Sequence, residues 1–337
     1  MTRSPSQWGN DLYTGAASFP FVGLRRIWLL IAAILVIAAA AVPLLRPVQF
    51  SIEFTGGSQF SVPGVADPDQ ALATAAVHTV VPGAAVRTTT VGGSTVRVET
   101  DQMTSDQTQQ VRVALGEAYD VDTAEVTSSF IGPIWGADVT RQSLWGLAIF
   151  LALTFLILAL YFRTWKMSVA AVVGVVDVLV ITVGVYALAG FAISPAAVIG
   201  FLTVLAYSLY DTTVVFDKIR ENTAPGADAS GRTFGDSVNL AVNQTLVRSI
   251  NTTVVAILPT GAILFIGAFW LGAETLTDIS LSIFVGTIVA AYSTLFVAAP
   301  LYSLLRQNET AIREGDERVR RARAKAVVDA AAAVPSV

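Results

Sequence analysis

Two acidic residues lie inside long apolar stretches of the sequence and are the strongest candidates for chemistry. Asp177 interrupts the apolar run 168–191, and Asp211 lies in the run 195–216. A charged side chain at bilayer depth is costly, so it is retained where it serves ion movement or holds neighbouring helices together. For Asp177, halfway along its run, the structural and the functional explanation carry equal weight.

Asp211 belongs to a polar stripe. Thr203, Tyr207 and Asp211 are spaced four residues apart and therefore share one helix face, with Ser208 at its border. A single aspartate can simply cap a helix end. A stripe of hydroxyl groups that ends in a carboxylate instead favours a hydrated path or a proton site.

A basic residue near the cytoplasmic end of a later apolar run is a possible partner for Asp211. Arg248, Asn251 and Thr252 fall on one helix face. Arg248 alone would be read as an anchor at the membrane edge, but its neighbours raise the chance that it faces the bundle. An aspartate paired with arginine stays ionised, and weakening the pair lets it take a proton. Such a pair would couple proton movement to a conformational change.

These residues must be positioned by membrane-spanning helices. The chain has 337 residues, of which 54% are hydrophobic and 14% charged, against about 25% charged in a typical soluble domain. Mean hydropathy is +0.64. Six apolar runs are long enough to cross a bilayer, and they cover residues 27–45, 144–162, 168–191, 195–216, 249–270 and 279–305. The net charge of −4 gives no indication of nucleic-acid binding.

The distribution of Lys and Arg predicts the topology. With the N-terminal segment 1–26 and the basic tail 306–337 in the cytoplasm, 16 of the 21 Lys and Arg residues lie inside. The short outer loops 190–194 and 271–278 carry neither residue type. The sequence thus predicts a polytopic α-helical protein with six transmembrane helices, helix 1 at 27–45 and helices 2–6 within 144–305, and with both termini in the cytoplasm.

The segment 46–143 is polar and predicts a small extracytoplasmic α+β domain between helices 1 and 2. An alternating strand at 50–54 and a short run at 59–62 come first. The later elements are a helix at 69–80, strands at 85–91 and 95–99 around a Gly92–Gly93 turn, a helix at 104–119 and a strand at 123–131. This order is ferredoxin-like.

The sequence contains no evident catalytic, metal or cofactor site. It has no cysteine, and its single histidine, His78, lies on a predicted helix of the polar domain without a second ligand nearby. Gly56–Gly57 is not followed by the Lys-Ser/Thr of a phosphate-binding loop and is better explained as a turn or bulge. We therefore expect neither an enzyme nor a bound cofactor or metal.

Four segments resemble the SecF family. Residues 207–222, YSLYDTTVVFDKIREN, closely resemble the signature of its fourth span, and residues 243–252, NQTLVRSINT, resemble the start of its fifth. IEFTGG at 52–57 is similar to the motif after its first span, and Asp177 to its third-span acid. Glu53 stands where Asp is more common, and Tyr210 where Asn is usual.

The resemblance implies a subunit that forms one half of an RND-like unit, with SecD as the other half. Together they would use the proton-motive force to move preproteins that emerge from the SecYEG translocon of the bacterial cytoplasmic membrane, with YajC as a small partner. Protons would pass near Asp211, with Arg248 as its charge partner and Asp177 as a supporting site.

Two other functions fit the same residues. The chain could be a self-contained RND-like exporter of small molecules or lipids, although one six-helix unit is small for enclosing a substrate. It could also be a scaffold whose membrane acids only hold helices together. The Arg-rich stretch 313–325 favours contact with anionic membrane lipids or with ribosomal or translocon surfaces, or serves only as a topology signal.

Overall fold

The computed structural model describes residues 5–46, 48–91, 93–162, 164–224, 231–267 and 274–332. In this part of the chain, six helices are long and apolar enough to cross a membrane. The protein is thus a polytopic helical membrane protein, as predicted. Gly92 of the expected hairpin turn and residues 271–273 of the second outer loop lie outside the described residues.

The elements follow one another in a simple order. The chain begins with helices α1 (Pro5–Thr14) and α2 (Arg25–Leu45), strand β1 (Gln49–Phe50) and the single turn α3 (Ile52–Thr55). A sheet domain follows, made of β2 (Gly57–Val62), α4 (Gln70–Val80), β3 (Val86–Val91), β4 (Thr95–Thr100), α5 (Ser105–Tyr119) and β5 (Thr127–Ile131). The remaining elements are α6 (Pro133–Phe162), α7 (Trp165–Ala189), β6 (Ala192–Ile193), α8 (Pro195–Asn222), α9 (Phe234–Ile266), α10 (Glu274–Ser293), α11 (Ala299–Arg306) and α12 (Thr310–Ala332).

Several helices extend beyond the apolar runs that predict them. Helix α6 begins at Pro133, where a missing N–H costs nothing. Gly136 then lets the first turn of α6 approach the carbonyl of Phe54 closely. Helix α9 is preceded by Thr233, its N-cap, which forms a capping box with Asp236. Polar first turns that pack on neighbouring segments do not register as apolar runs, so the sequence shows only the membrane part of each helix.

A π-helical turn, Thr294–Ala298, joins α10 to α11. Pro300 lies just beyond it. Proline has no N–H to donate and its ring clashes with the carbonyl four residues earlier, so it disturbs the regular hydrogen bonding of an α-helix. The wider π turn absorbs this defect and keeps the last span continuous.

The sheet domain contains an antiparallel sheet with strand order β3-β4-β2-β5. Helices α4 and α5 pack together and share an apolar core with β2 and β4 that includes Phe60, Val77, Val98 and Leu115. Thr104 and Gln107 form a capping box at the start of α5. The element order strand, helix, strand, strand, helix, strand occurs in this domain.

The strand predicted at 50–54 is wrong. Gln49 and Phe50 form a short parallel pair with Ala192 and Ile193, and the chain then turns into α3. Gly56 follows with φ +75°, a conformation that reverses the chain at little cost only for glycine. The alternating pattern therefore reflects a buried turn against the membrane helices, and the first strand of the sheet domain is β2.

The sheet domain and helix α12 lie at opposite ends of the bundle. Arg87 of β3 donates to the carbonyl of Gly190, which follows α7, at 3.3 Å. Arg87 also pairs with Glu99 of β4 at 3.4 Å. Burial raises the pKa of Glu99 although Arg87 acts in the opposite direction. At the other end, Arg323 of α12 binds Asp236 at the start of α9.

Small residues set the closest helix contacts. A Cβ atom built on Gly184 of α7 would lie 2.8 Å from the Cα atom of Ala39 in α2. Gly200 of α8 meets Ser282 of α10 in a similar way. Membrane helices associate through such close backbone packing because lipid supplies no hydrophobic driving force between them.

We expect Gly184→Val to lower the free energy of unfolding by about 1–3 kcal/mol, the usual cost of overpacking. The added side chain would separate α2 from α7. Thermal unfolding of the purified protein in detergent measures the change. Gly146→Ala is the matched control, because nothing lies within 4 Å of a Cβ at Gly146. Equal midpoints for Gly184→Val and the wild type would contradict the close contact.

Glu309 connects two membrane helices at the end of the bundle that carries α12. It binds Arg306 at 2.7 Å and Lys166 at 2.9 Å. The hydrogen bond from Arg306, assisted by Lys166, lowers the pKa of Glu309 below its ordinary value of 4.5. Ionised Glu309 therefore contributes stability above pH 4.5, and this contribution is lost as the pH falls through the lowered pKa.

We expect Glu309→Gln to remove this part of the acid sensitivity. The unfolding midpoints of the variant and the wild type should differ at neutral pH and converge as the pH falls from 4.5 through the lowered pKa of Glu309. Glu314→Gln is the control, since Glu314 is an exposed carboxylate of α12. A constant difference across the pH range would show that Glu309 acts through packing rather than charge.

Candidate functional site

Asp211 lies buried between three helices, with 6% of its surface exposed. Its carboxylate accepts a hydrogen bond of 2.5 Å from the hydroxyl of Ser249 on α9. Ser249 is itself only 1% exposed. A hydroxyl group can donate to a carboxylate and can also accept from a protonated carboxyl group. The hydrogen bond between Asp211 and Ser249 can therefore form whether the carboxyl group of Asp211 is ionised or protonated.

The residue next to Asp211 extends the polar contact to the π turn. The hydroxyl groups of Thr212 and Thr294 lie 3.1 Å apart in a buried position. Ser208, one turn earlier on α8, is also buried. Helix α8 thus turns its polar face inward, toward α9 and the π turn. This placement satisfies the hydroxyl groups inside an apolar bundle.

Arg248 lies outside this cluster. It is exposed and donates a hydrogen bond of 3.1 Å to the hydroxyl of Tyr210. Among the described residues, the ion pairs do not include Asp211 with Arg248. The hydroxyl group of Tyr210 holds the arginine at the edge of the bundle.

The structure separates the members of the predicted polar face. Thr203 is exposed and donates to Ile199 of its own helix. Tyr207 is half-buried, and its hydroxyl has no hydrogen-bond partner in the described part of the chain. Asn251 is exposed, whereas Thr252 donates to the carbonyl of Ser249. Of these four residues, Tyr207 is the one with a buried hydroxyl that lacks a partner among the described residues.

Asp177 forms a second, separate polar cluster. It is 5% exposed on α7, and its Oδ2 atom has no hydrogen-bond partner among the described residues. Ser293 lies beside it and donates to the carbonyl of Gly174 at 2.9 Å. The hydroxyl of Tyr292 is also buried without a partner in the same part of the structure. An unpartnered carboxyl oxygen here is costly unless a proton or water joins it.

Ser249, Thr212 and Thr294 are the site residues that sequence reasoning missed. Ser249 could have been found from the sequence, because Thr245, Ser249 and Thr253 recur every four residues and so share one face of α9. No sequence pattern indicates Thr294, since its position depends on the π turn. Within the described ranges, no three His, Cys, Asp or Glu side chains are grouped to hold a metal ion.

The helical bundle and its buried carboxyl groups identify the class of protein. It is a multi-pass helical membrane protein with ionisable residues at bilayer depth. Residues 111–308 match the family model described as "Protein export membrane protein SecD/SecF, C-terminal". The chain belongs to the SecF family of protein translocase subunits and is a multi-pass protein of the bacterial cell membrane.

Individual relatives agree with this assignment. The protein translocase subunit SecF of Streptomyces coelicolor is 38% identical over 94% of this chain and 84% of its own. The SecF of Mycobacterium tuberculosis is 36% identical, over 91% and 72%. The crystal structure of SecDF, a translocon-associated membrane protein from Thermus thermophilus, superposes with a TM-score of 0.71 at 26% identity and covers 87% of this chain. This chain spans about two fifths of that protein, 39%.

We expect Ser249→Ala to lower the free energy of unfolding by about 1–3 kcal/mol, because the buried Asp211 carboxyl group loses its donor. Thr260→Ala is the matched control on the same helix, since the hydroxyl of Thr260 bonds only to carbonyl groups of its own helix. Unfolding midpoints in one detergent compare the two variants. Equal effects would show that Ser249 is not a specific partner of Asp211.

Proposed function

We propose that this protein works with a SecD partner to couple the proton-motive force to preprotein translocation across the cytoplasmic membrane. The observation that carries the proposal is the buried Asp211–Ser249 hydrogen bond, which supplies a partner for both the charged and the neutral carboxyl group. Asp211 would take up and release the proton, and the protein would act without enzymatic chemistry.

Arg248 would be the charged group that determines whether Asp211 is ionised or protonated. It now binds Tyr210 at the bundle surface, and a rotation of its long side chain would bring it closer to Asp211. A nearby guanidinium group favours the ionised carboxylate, and its withdrawal favours the proton. Asp177, with its unpartnered oxygen, would be a supporting polar site on the neighbouring helix.

The greater length of a SecDF relative supports SecD as the partner. The Thermus thermophilus SecDF matches this chain over only 38% of its own length, so the fused protein has a large additional part. A separate SecD would supply that part here. The exposed face of α9 that carries Arg248 and Asn251 would then meet SecD, which accounts for polar groups on a membrane surface. SecYEG, YajC and the preprotein remain partners proposed from the family.

The sheet domain would be a ferredoxin-like domain outside the cytoplasm. Its strand order and its two helices support this fold. It lies at the end of the bundle opposite α1 and α12, and the Lys and Arg bias places that opposite end in the cytoplasm. From this position the domain would contact the emerging preprotein.

We expect Asp211→Asn to abolish the gradient-dependent part of preprotein translocation while assembly with SecD is unchanged. Asparagine keeps the size and a hydrogen bond but cannot carry the proton. The measurement uses proteoliposomes that contain the translocon, SecD and this chain, with and without an imposed proton gradient.

Asp217→Asn is the matched control, because Asp217 lies on the same helix, is exposed and binds Tyr161. An Asp211→Asn protein that still responds to the gradient would refute the proton role. A variant that fails to assemble with SecD would instead favour the scaffold function.

A further inference from the structure

A cavity of about 950 Å³ lies at the end of the bundle that carries α12. It is bordered by the segment 20–27, by the start of α9 and by α12. Four arginines contribute to its wall: Arg25 and Arg26 in the first turn of α2, and Arg313 and Arg320 on α12. Proton coupling at Asp211 uses none of these residues. The cavity is large enough for a small ligand or a headgroup.

The carboxylates of the cavity wall are already engaged. Asp236 binds Arg323 at 2.8 Å. Glu317 lies 3.5 Å from Arg321. Both of these arginines lie outside the cavity wall. Asp316 accepts a hydrogen bond of 2.7 Å from the backbone N–H of Phe234. The positive charge of the four wall arginines is therefore only partly balanced.

Three of these arginines have guanidinium groups with no ion pair or side-chain hydrogen bond in the described part of the chain. Arg26, Arg313 and Arg320 are all exposed. The fourth, Arg25, is held by the neutral side chains of Gln307 and Ser303. Planar guanidinium groups bind phosphate in a bidentate manner, and several of them around one space favour an anion.

The wall of the same cavity is apolar on the side of the first span. Leu24 and Ile27 line it. The apolar surface continues along α2, where Ile27 is 52% exposed, Leu30 61% and Ile34 57%. A soluble anion would gain nothing from this surface, whereas an acyl chain would cover it.

We propose that the cavity binds the phosphate headgroup of an anionic glycerophospholipid, whose acyl chain lies along the exposed face of α2. Arg26, Arg313 and Arg320 bind the phosphate, and Arg25 positions the segment before the first span. The bound lipid would connect α12 to the start of α2. The basic tail is then a lipid-binding element with a defined partner surface within the chain.

The test is native mass spectrometry of the full-length protein in a neutral detergent, titrated with phosphatidylglycerol or with phosphatidylcholine of the same acyl chains. We expect the wild type to retain phosphatidylglycerol preferentially. The triple variant Arg26→Gln/Arg313→Gln/Arg320→Gln should bind it on the order of 100-fold more weakly, given the effect of one basic residue near an anionic lipid surface.

The control variant Arg220→Gln/Arg232→Gln/Lys325→Gln removes the same charge at exposed positions outside the cavity wall. It should retain the wild-type preference. Equal weakening in both triple variants would overturn the site, because net charge alone would then explain retention. If the first triple variant does not fold, the single change Arg320→Gln on exposed α12 should still weaken binding several-fold.

A competition experiment distinguishes binding of a lipid from binding of a free phosphate. Inorganic phosphate and glycerol phosphate should neither displace the retained phosphatidylglycerol nor raise the unfolding midpoint at equal concentration. Displacement by either soluble anion would overturn the assignment to a lipid. Equal retention of phosphatidylcholine and phosphatidylglycerol by the wild type would overturn the role of the phosphate charge.

Discussion

A polar group in the apolar interior of a membrane bundle must find its hydrogen-bond partner within the protein, because lipid offers none. This requirement explains how α8, α9 and the π turn meet. The Asp211 carboxyl group binds Ser249, and Thr212 pairs with Thr294. Close packing at Gly200 brings α8 and α10 together, and α10 leads into the π turn that carries Thr294.

Helix α8 connects the buried site to the sheet domain. Ser194 caps its first turn and also donates to Asp278 at the start of α10, at 2.6 Å. Just before α8, β6 pairs with β1, which leads into the sheet domain. Asp211 lies further along the same rigid helix. A change in the packing of α8 at Asp211 would therefore act directly on the segment that holds the sheet domain against the bundle.

Hydropathy, spacing and turn residues predicted the six spans and most elements of the sheet domain. The spans were predictable because lipid requires about 20 apolar residues in sequence. Helix α1 was missed, since it is short and not apolar on average, so a search for long apolar runs passes over it. The strand expected at 50–54 is a turn because the backbone of Phe50 and Ser51 bonds to the segment 192–193, far away in the sequence. Local alternation cannot report such a partner.

The sequence by itself determined which residues are out of place in a membrane, above all Asp177 and Asp211, because each interrupts an apolar run. It could not determine what they touch. Arg248 and Ser249 are adjacent in the sequence, yet neighbouring side chains on a helix point about 100° apart. The rotation of α9 against α8 places Ser249 inward on Asp211 and Arg248 outward on Tyr210. That rotation is set by the packing of all six helices together, so only the tertiary structure could decide it.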